Sequence, residues 1–144
     1  MLLMFTIIAH NSVEYLQTVA LRDEVLRRPL GLHFAEEQLA EESADIHIAG
    51  YVSAELVACA ILTPITLHKV KMRQVAVLPG IQGQGVGRKL VEFCEALAQQ
   101  MGCTEIELHA REAVVSFYEK SGYSVTGEQF TEVSIPHLAM IKIL

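Results

Sequence analysis

Between Pro79 and Lys89 the chain reads Pro-Gly-Ile-Gln-Gly-Gln-Gly-Val-Gly-Arg-Lys, with Gly80, Gly83, Gly85 and Gly87 at alternate or near-alternate positions. Residues without a Cβ let successive backbone N–H groups converge on one point, and such a concavity suits an anion. If a helix begins there, its free N–H groups and the positive end of its dipole reinforce that preference. Arg88 and Lys89 bring cationic charge to the same place. The chemistry expected is capture of a phosphate or pyrophosphate, with a turn required only for tight packing as the alternative. Two carriers are excluded by spacing. A P-loop needs Lys then Ser or Thr directly after its last glycine, whereas Gly87 is followed by Arg88-Lys89-Leu90. A dinucleotide fingerprint needs a third glycine, and both frames place Arg88 or Leu90 there.

The elements that must position this turn are readable on either side. Val75-Ala76-Val77-Leu78 is apolar on both faces and predicts a central strand ended by Pro79-Gly80. Val86, Leu90, Val91, Cys94, Leu97, Ala98 and Met101 recur at three- and four-residue intervals, an amphipathic helix closed by Gly102. Alternation over Ile106, Leu108 and Ala110 gives a further strand, so this middle region is a βαβ unit with parallel strands. Upstream, Met1 to Ala9 reads as a first strand. Ser12 or Asn11 caps a helix to about Arg28, with Val13, Leu16, Ala20, Leu21, Val25 and Leu26 at helical spacing and Pro29 stopping it. Phe34 to Glu42 reads as a short second helix, and Ile46 to Tyr51, Glu55 to Ile65 and Lys69 to Leu78 as an antiparallel meander. Downstream come a helix over Glu112 to Ser121 and strands over Tyr123 to Thr126 and Ile135 to Ile143.

Composition bounds the function. The 144 residues, 51% hydrophobic and 19% charged, predict a single α+β domain over 1–144, with a mixed, mostly antiparallel sheet between helical layers. Seventeen acidic against eleven basic side chains give a net charge of -6, which argues against a nucleic-acid partner. Three cysteines, Cys59, Cys94 and Cys103, lack Cys-x-x-Cys spacing, and the six histidines include no His-x-x-x-His pair, so neither a disulfide framework nor a metal site is indicated. No stretch is long and apolar enough for a membrane helix and the start carries no charged leader. A cytoplasmic protein without a membrane partner is expected.

The pattern that does fit the turn is Gln82-x-x-Gly85-x-Gly87, which resembles the GCN5-related N-acetyltransferase (GNAT) family. Arg111-Glu-Ala-Val-Val-Ser-Phe-Tyr-Glu-Lys-Ser-Gly-Tyr123 is similar to that family's next block, with Arg111 where asparagine is common and Val114 where alanine is common. The resemblance covers about Lys69 to Tyr123. It implies a GNAT-like fold of about seven strands and about four helices, and acetyl transfer from acetyl-CoA to a primary amine without a metal. It places the pantetheine arm along Val75, Ala76 and Val77, and the pyrophosphate on Gln82, Gly83, Gln84, Gly85, Val86, Gly87 and Arg88. Arg111, Ser116 and Tyr118 complete the cofactor contacts, and Tyr118 matches the tyrosine that protonates the departing thiolate. Packing of Tyr118 against the sheet is the alternative role, and an acyl-CoA-binding sensor without turnover is the alternative function.

The resemblance leaves the base open, because the strand entry His68-Lys69-Val70-Lys71 has no carboxylate. Glu132 and His137, in the segment Gly127 to His137 that borders the acceptor in this family, are the first candidates, with His33 and Glu36 second. Glu36, Glu37, Glu128 and Glu132 on these segments predict a cationic acceptor, a small amine or a peptide amine. The apolar end, Leu138 to Leu144, is as suited to pairing across a homodimer as to finishing its own sheet.

Overall fold

A computed structural model describes residues 2–144, so the expected start of the first strand at Met1 lies outside the described residues. Seven strands form one sheet in the order β1-β2-β3-β4-β5-β7-β6. Their ranges are β1 Leu3–Ile8, β2 Ile46–Val52, β3 Glu55–Pro64, β4 Lys69–Val77, β5 Glu105–Arg111, β6 Ser124–Glu132 and β7 Ile135–Ile143. The helices are α1 Val13–Arg22, α2 Glu36–Ala40, α3 Val86–Gln100 and α4 Val115–Lys120. Neighbouring strands are antiparallel except β4 and β5, which α3 connects in parallel as the βαβ pattern requires. The expected meander and central strand are thus present.

Helix α3 lays Val86, Leu90, Val91, Cys94 and Ala98 against a sheet face built from Ile48, Ala60, Leu62, Val70, Met72, Ile106, Leu108 and Met140. Full burial of a side chain such as Leu90 or Ile106 stabilises by roughly 1.5–3 kcal/mol. The opposite face takes α1. Ser12 caps it, its hydroxyl accepting from the Tyr15 N–H at 3.1 Å. The helix buries Tyr15, Thr18, Leu21 and Arg22, while Val13 and Leu16 stand exposed. Of the apolar positions read from sequence, Leu21, Val25 and Leu26 pack against the sheet, whereas Val13, Leu16 and Ala20 are exposed because Tyr15, Thr18 and Arg22 take the sheet-facing positions there.

Three boundaries also differ from expectation. Regular α-helix ends at Arg22 rather than Arg28; a wider π turn, Asp23–Arg27, and a short 3-10 turn, Arg28–Leu30, follow it. The second helix is shorter, Glu36–Ala40, with a 3-10 turn to Ala44. The segment Gly127 to His137 is no loop: β6 runs on to Glu132, and Val133-Ser134, both at positive φ, make a two-residue hairpin turn into β7. Strand β7 lies between β5 and β6, so the C-terminal strand has no open edge to offer a second copy.

Candidate active site

The site begins where the sheet comes apart. Strands β4 and β5 pair only over Lys69–Met72 and Glu105–Leu108. At Gln74, with φ of 54°, β4 takes an extra residue, and its register against β3 shifts between Cys59 and Ile61. The bulge inverts the alternation. Before it Val70 and Met72 face α3; after it Val75 and Val77 do, and Ala76 turns to the α1 side. From there β4 follows β3 while β5 follows β7, which leaves a cavity of about 610 Å3. Val75, Ala76 and Val77 line one side and His109, Ala110 and Arg111 the other. Beyond Met72 the edge of β4 that faces β5 makes no ladder bonds, so its N–H and C=O groups are open to an extended ligand.

At the end of β4 the chain turns into α3. Gln82 fixes this turn by donating from Nε2 to the Val77 carbonyl at 2.9 Å. Gly83 and Gly85 hold φ of +84° and +81°, a left-handed conformation that side chains disfavour. At Gly87 a Cβ would sit 3.4 Å from the Phe117 ring, an ordinary contact, so packing there does not by itself demand glycine. The first bond closing α3 runs from the Lys89 N–H to Gly85 O at 3.1 Å, so by helix geometry the N–H groups of Val86, Gly87 and Arg88 have no acceptor within the helix. Gln82, Gly83, Gly85, Gly87 and Arg88 line the cavity. The Val86 side chain is buried in the core, leaving only its backbone for a ligand, and Gln84 and Ser116 are exposed and off the cavity wall. Arg88 is half spent on Glu92, 3.1 Å away one helical turn on.

Tyr118 reaches the cavity from α4, buried to 7% exposure with Phe117 and Tyr123 edge-on against it. Burial, and secondarily Cys94, hold its phenol well above the ordinary value of 10.0, so it stays protonated through neutral pH. Among the described residues its hydroxyl has no hydrogen-bond partner from the chain, which leaves the proton available to a guest.

Across the cavity β5, β6 and β7 bring three side chains together. The Nδ1 of His109 lies 3.1 Å from Glu132 Oε1, and the Nε2 of His137 lies 3.6 Å from Glu132 Oε2. His137 donates from Nδ1 to the Ile135 carbonyl at 3.0 Å, which turns Nε2 toward Glu132. Burial alone would raise the Glu132 carboxyl, but the His109 hydrogen bond and the charges of His109, His137 and Lys71 outweigh it and keep the group anionic. All three line the cavity. Glu132 and His137 thus meet as the sequence-based choice requires. His109 is the addition, and its signal was the polar alternation Glu105, Glu107, His109, Arg111 along β5.

The second-choice bases are elsewhere: His33 is exposed and held by Asp23 at 3.1 Å, and neither it nor Glu36 reaches the cavity. The acidic acceptor side is also corrected. Of Glu36, Glu37, Glu128 and Glu132 only Glu132 lines the cavity, and it faces Arg27, Arg73, Arg88 and Arg111 there. The α2 glutamates lie on a short helix whose exposed side turns to solvent, so counting charge by segment misplaced them.

Comparison with known proteins agrees with this fold. In sequence, the chain is 31% identical over 75 residues to the uncharacterized protein YyaT of Bacillus subtilis, covering 52% of this chain and 51% of that protein. The chain spans about half the length of the curated relatives it matches. In structure, it superposes with a TM-score of 0.87 and 24% identity on a crystal structure assigned as an N-acetyltransferase from Lactobacillus plantarum, covering 99% of this chain and 98% of that one. A GNAT acetyltransferase from Elizabethkingia anophelis with acetyl-CoA bound gives 0.77 at 15% identity, with 99% and 98% covered. At such identities these likenesses show the fold. The model of the acetyltransferase (GNAT) family matches residues 11–123, and the chain belongs to that family.

Proposed function

We propose that this chain is an acetyl-CoA-dependent N-acetyltransferase, a single cytoplasmic domain that passes the acetyl group directly to a primary amine. One observation carries the reading: the open edge of β4 runs from the anion-binding turn at Gln82 to Arg88 toward the cavity that holds the Tyr118 hydroxyl. The residues suit acetyl-CoA as a substrate. The N–H groups opening α3 donate to its pyrophosphate oxygens, and Val75 to Val77 offer ladder bonds to its pantetheine arm. The three cysteines are buried and unpaired, as a reducing compartment allows.

Glu132 and His137, joined by His109, take a proton from the acceptor ammonium. The freed nitrogen attacks the thioester carbonyl, whose growing negative charge is met by a backbone N–H near Val77. As the carbon–sulfur bond breaks, Tyr118 gives its proton to the thiolate and regains one through water from the nitrogen, which sheds its second proton as it becomes the amide. Burial that raises the Tyr118 phenol raises the departing thiol as well, so the two remain matched in the same dry pocket.

The test is release of CoA thiol from acetyl-CoA with a mixed panel of amines, for the parent and for Tyr118→Phe. The variant is expected to fall by at least about 10²-fold in kcat with its melting temperature nearly unchanged. Equal rates at every pH would remove the acid role, and tight CoA binding without turnover on any amine would leave a binding module.

A further inference from the structure

Two arginines in the cavity lack the carboxylate partner that most other buried or half-buried cations of this chain possess. Lys71, 3.2 Å from His109 Nδ1, is the other exception among the described residues. Arg22 is paired with Glu42, Arg73 with Asp45, Lys69 with Glu105 and Glu107, and Lys142 with Glu95. Among the described residues Arg27 and Arg111 have no carboxylate within salt-bridge distance. Both donate instead to one carbonyl oxygen, that of Leu26, Arg27 from Nη1 at 3.2 Å and Arg111 from Nη2 at 2.9 Å. The fold thereby holds two like charges side by side on the cavity wall. Burial, then the charges of Arg111, Arg22 and Arg73, lower the Arg27 guanidinium, the mark of a cation short of counter-charge. This concentration stands out in a chain of net charge -6.

The placement is deliberate in backbone terms. Arg27 closes the π turn that follows the helix at Arg22, and its guanidinium carbon lies over the Phe34 ring, 4.4 Å from the centroid, as does that of Arg22. A stacked guanidinium keeps its donor edge free for an anion. Arg111 sits directly opposite His137 in the β5–β7 register, and two residues beyond His109 on the same face. An anion held by Arg111 is therefore next to the group that would deprotonate the amine, and it is on the β5 side of the cavity, across from the β4 edge and the glycine turn.

We propose that Arg27 and Arg111 form a carboxylate-binding subsite, so that the acceptor is an amine bearing a carboxylate close to its nucleophilic nitrogen, that is, an amino acid. The assignment of this end of the cavity to the acceptor rests on the acyl-transfer reading. A carboxylate offers two oxygens in a plane, which match the fork of a guanidinium, and it supplies the missing counter-charge. Glu132 then takes the ammonium, and recognition by two opposite charges excludes amines that lack the acid.

The experiment needs no turnover. The protein saturated with CoA is titrated calorimetrically with N-acetyl derivatives of glycine, β-alanine, leucine and phenylalanine, each as the free acid and as the amide. The acid of at least one pair is expected to bind at least tenfold tighter than its amide. Arg27→Gln and Arg111→Gln should abolish that preference, while Arg27→Lys and Arg111→Lys retain part of it. Circular dichroism and melting temperature identify any variant that fails to fold, in which case its lysine counterpart and the other position decide. No acid preference in any pair, or a preference that survives both glutamine changes, overturns the proposal. So does a loss of CoA affinity with the preference intact, since the arginines would then serve the donor's phosphates. An acid preference in a protein that transfers acetyl to no amine would sink the acyl-transfer reading and leave the subsite standing.

Discussion

Two clusters of charge lie on the α1 side of the sheet, and they use the same residue types to opposite ends. In the first, Arg22 meets both oxygens of Glu42 at 2.8 and 2.7 Å, Tyr15 donates to that carboxylate at 2.8 Å, and His47 donates from Nε2 to the Glu42 carbonyl at 2.9 Å. Arg22 and Glu42 are 1% and 4% exposed, and apart from the Arg22 Nε, which has no partner among the described residues, this cluster is closed on itself. In the second, Arg27, Arg111, His109, Glu132 and His137 border an open cavity with fewer bonds than their groups can make. Residue type does not separate the two clusters. Depth of burial and the number of bonds their charged groups make to each other do.

Breaking each cluster should therefore cost stability in one case and chemistry in the other. Glu42→Ala strands a buried guanidinium and is expected to destabilise by about 3–5 kcal/mol, read from urea midpoints, whereas Arg22→Met with Glu42→Leu should recover most of that loss. The pH dependence sharpens the point. Burial alone would raise Glu42, yet Arg22 and Tyr15 outweigh it and lower the carboxyl below its ordinary 4.5. Its contribution is then fully present above that value and lost as pH falls through the lowered one; the Glu42→Gln protein should lack this acid loss. Next in size, Gly85→Ala forces a side chain into a left-handed turn at φ of +81° and should cost about 1–2 kcal/mol, with weaker CoA binding measured by titration. Smallest in stability is Glu132→Gln, within about 0.5 kcal/mol by thermal melting. That same change should slow acetyl transfer at least about tenfold and most at low pH, where a base is scarcest. A large fall in stability for Glu132→Gln, or none for Glu42→Ala, would erase the distinction between the clusters.

What could be read in the sequence was whatever is local. The glycine turn and the α3 stripe depend on residues within about one or two turns of their neighbours, the βαβ unit follows from the order of its elements, and all three are where the pattern puts them. The site was half legible: Gly83, Gly85, Tyr118, Glu132 and His137 were named, but the pairing of Glu132 with His109 was not. The N-terminal part of the α1 stripe differs because Tyr15 and Arg22 are buried through Glu42 and Thr18 through the Tyr15 carbonyl, and no hydropathy pattern shows a polar group that has found a partner. The Leu26–Arg111 contact joins residues 85 apart in sequence. The bulge at Gln74 was equally hidden, since a single extra residue in a strand leaves no compositional trace.

That bulge and the short seam between β4 and β5 amount to a ruler. Five residues, Arg73 to Val77, separate the last paired position from the turn. At about 3.3 Å per residue this fixes a span of roughly 16 Å between the anchored end of a ligand and the opening of the sheet. A single residue inserted between Val77 and Gly83 would move the anchor by about one graduation and leave the reacting atoms out of step with Tyr118 and Glu132. On the proposed function, the length of the acyl carrier, and not only its phosphates, is thereby written into strand register.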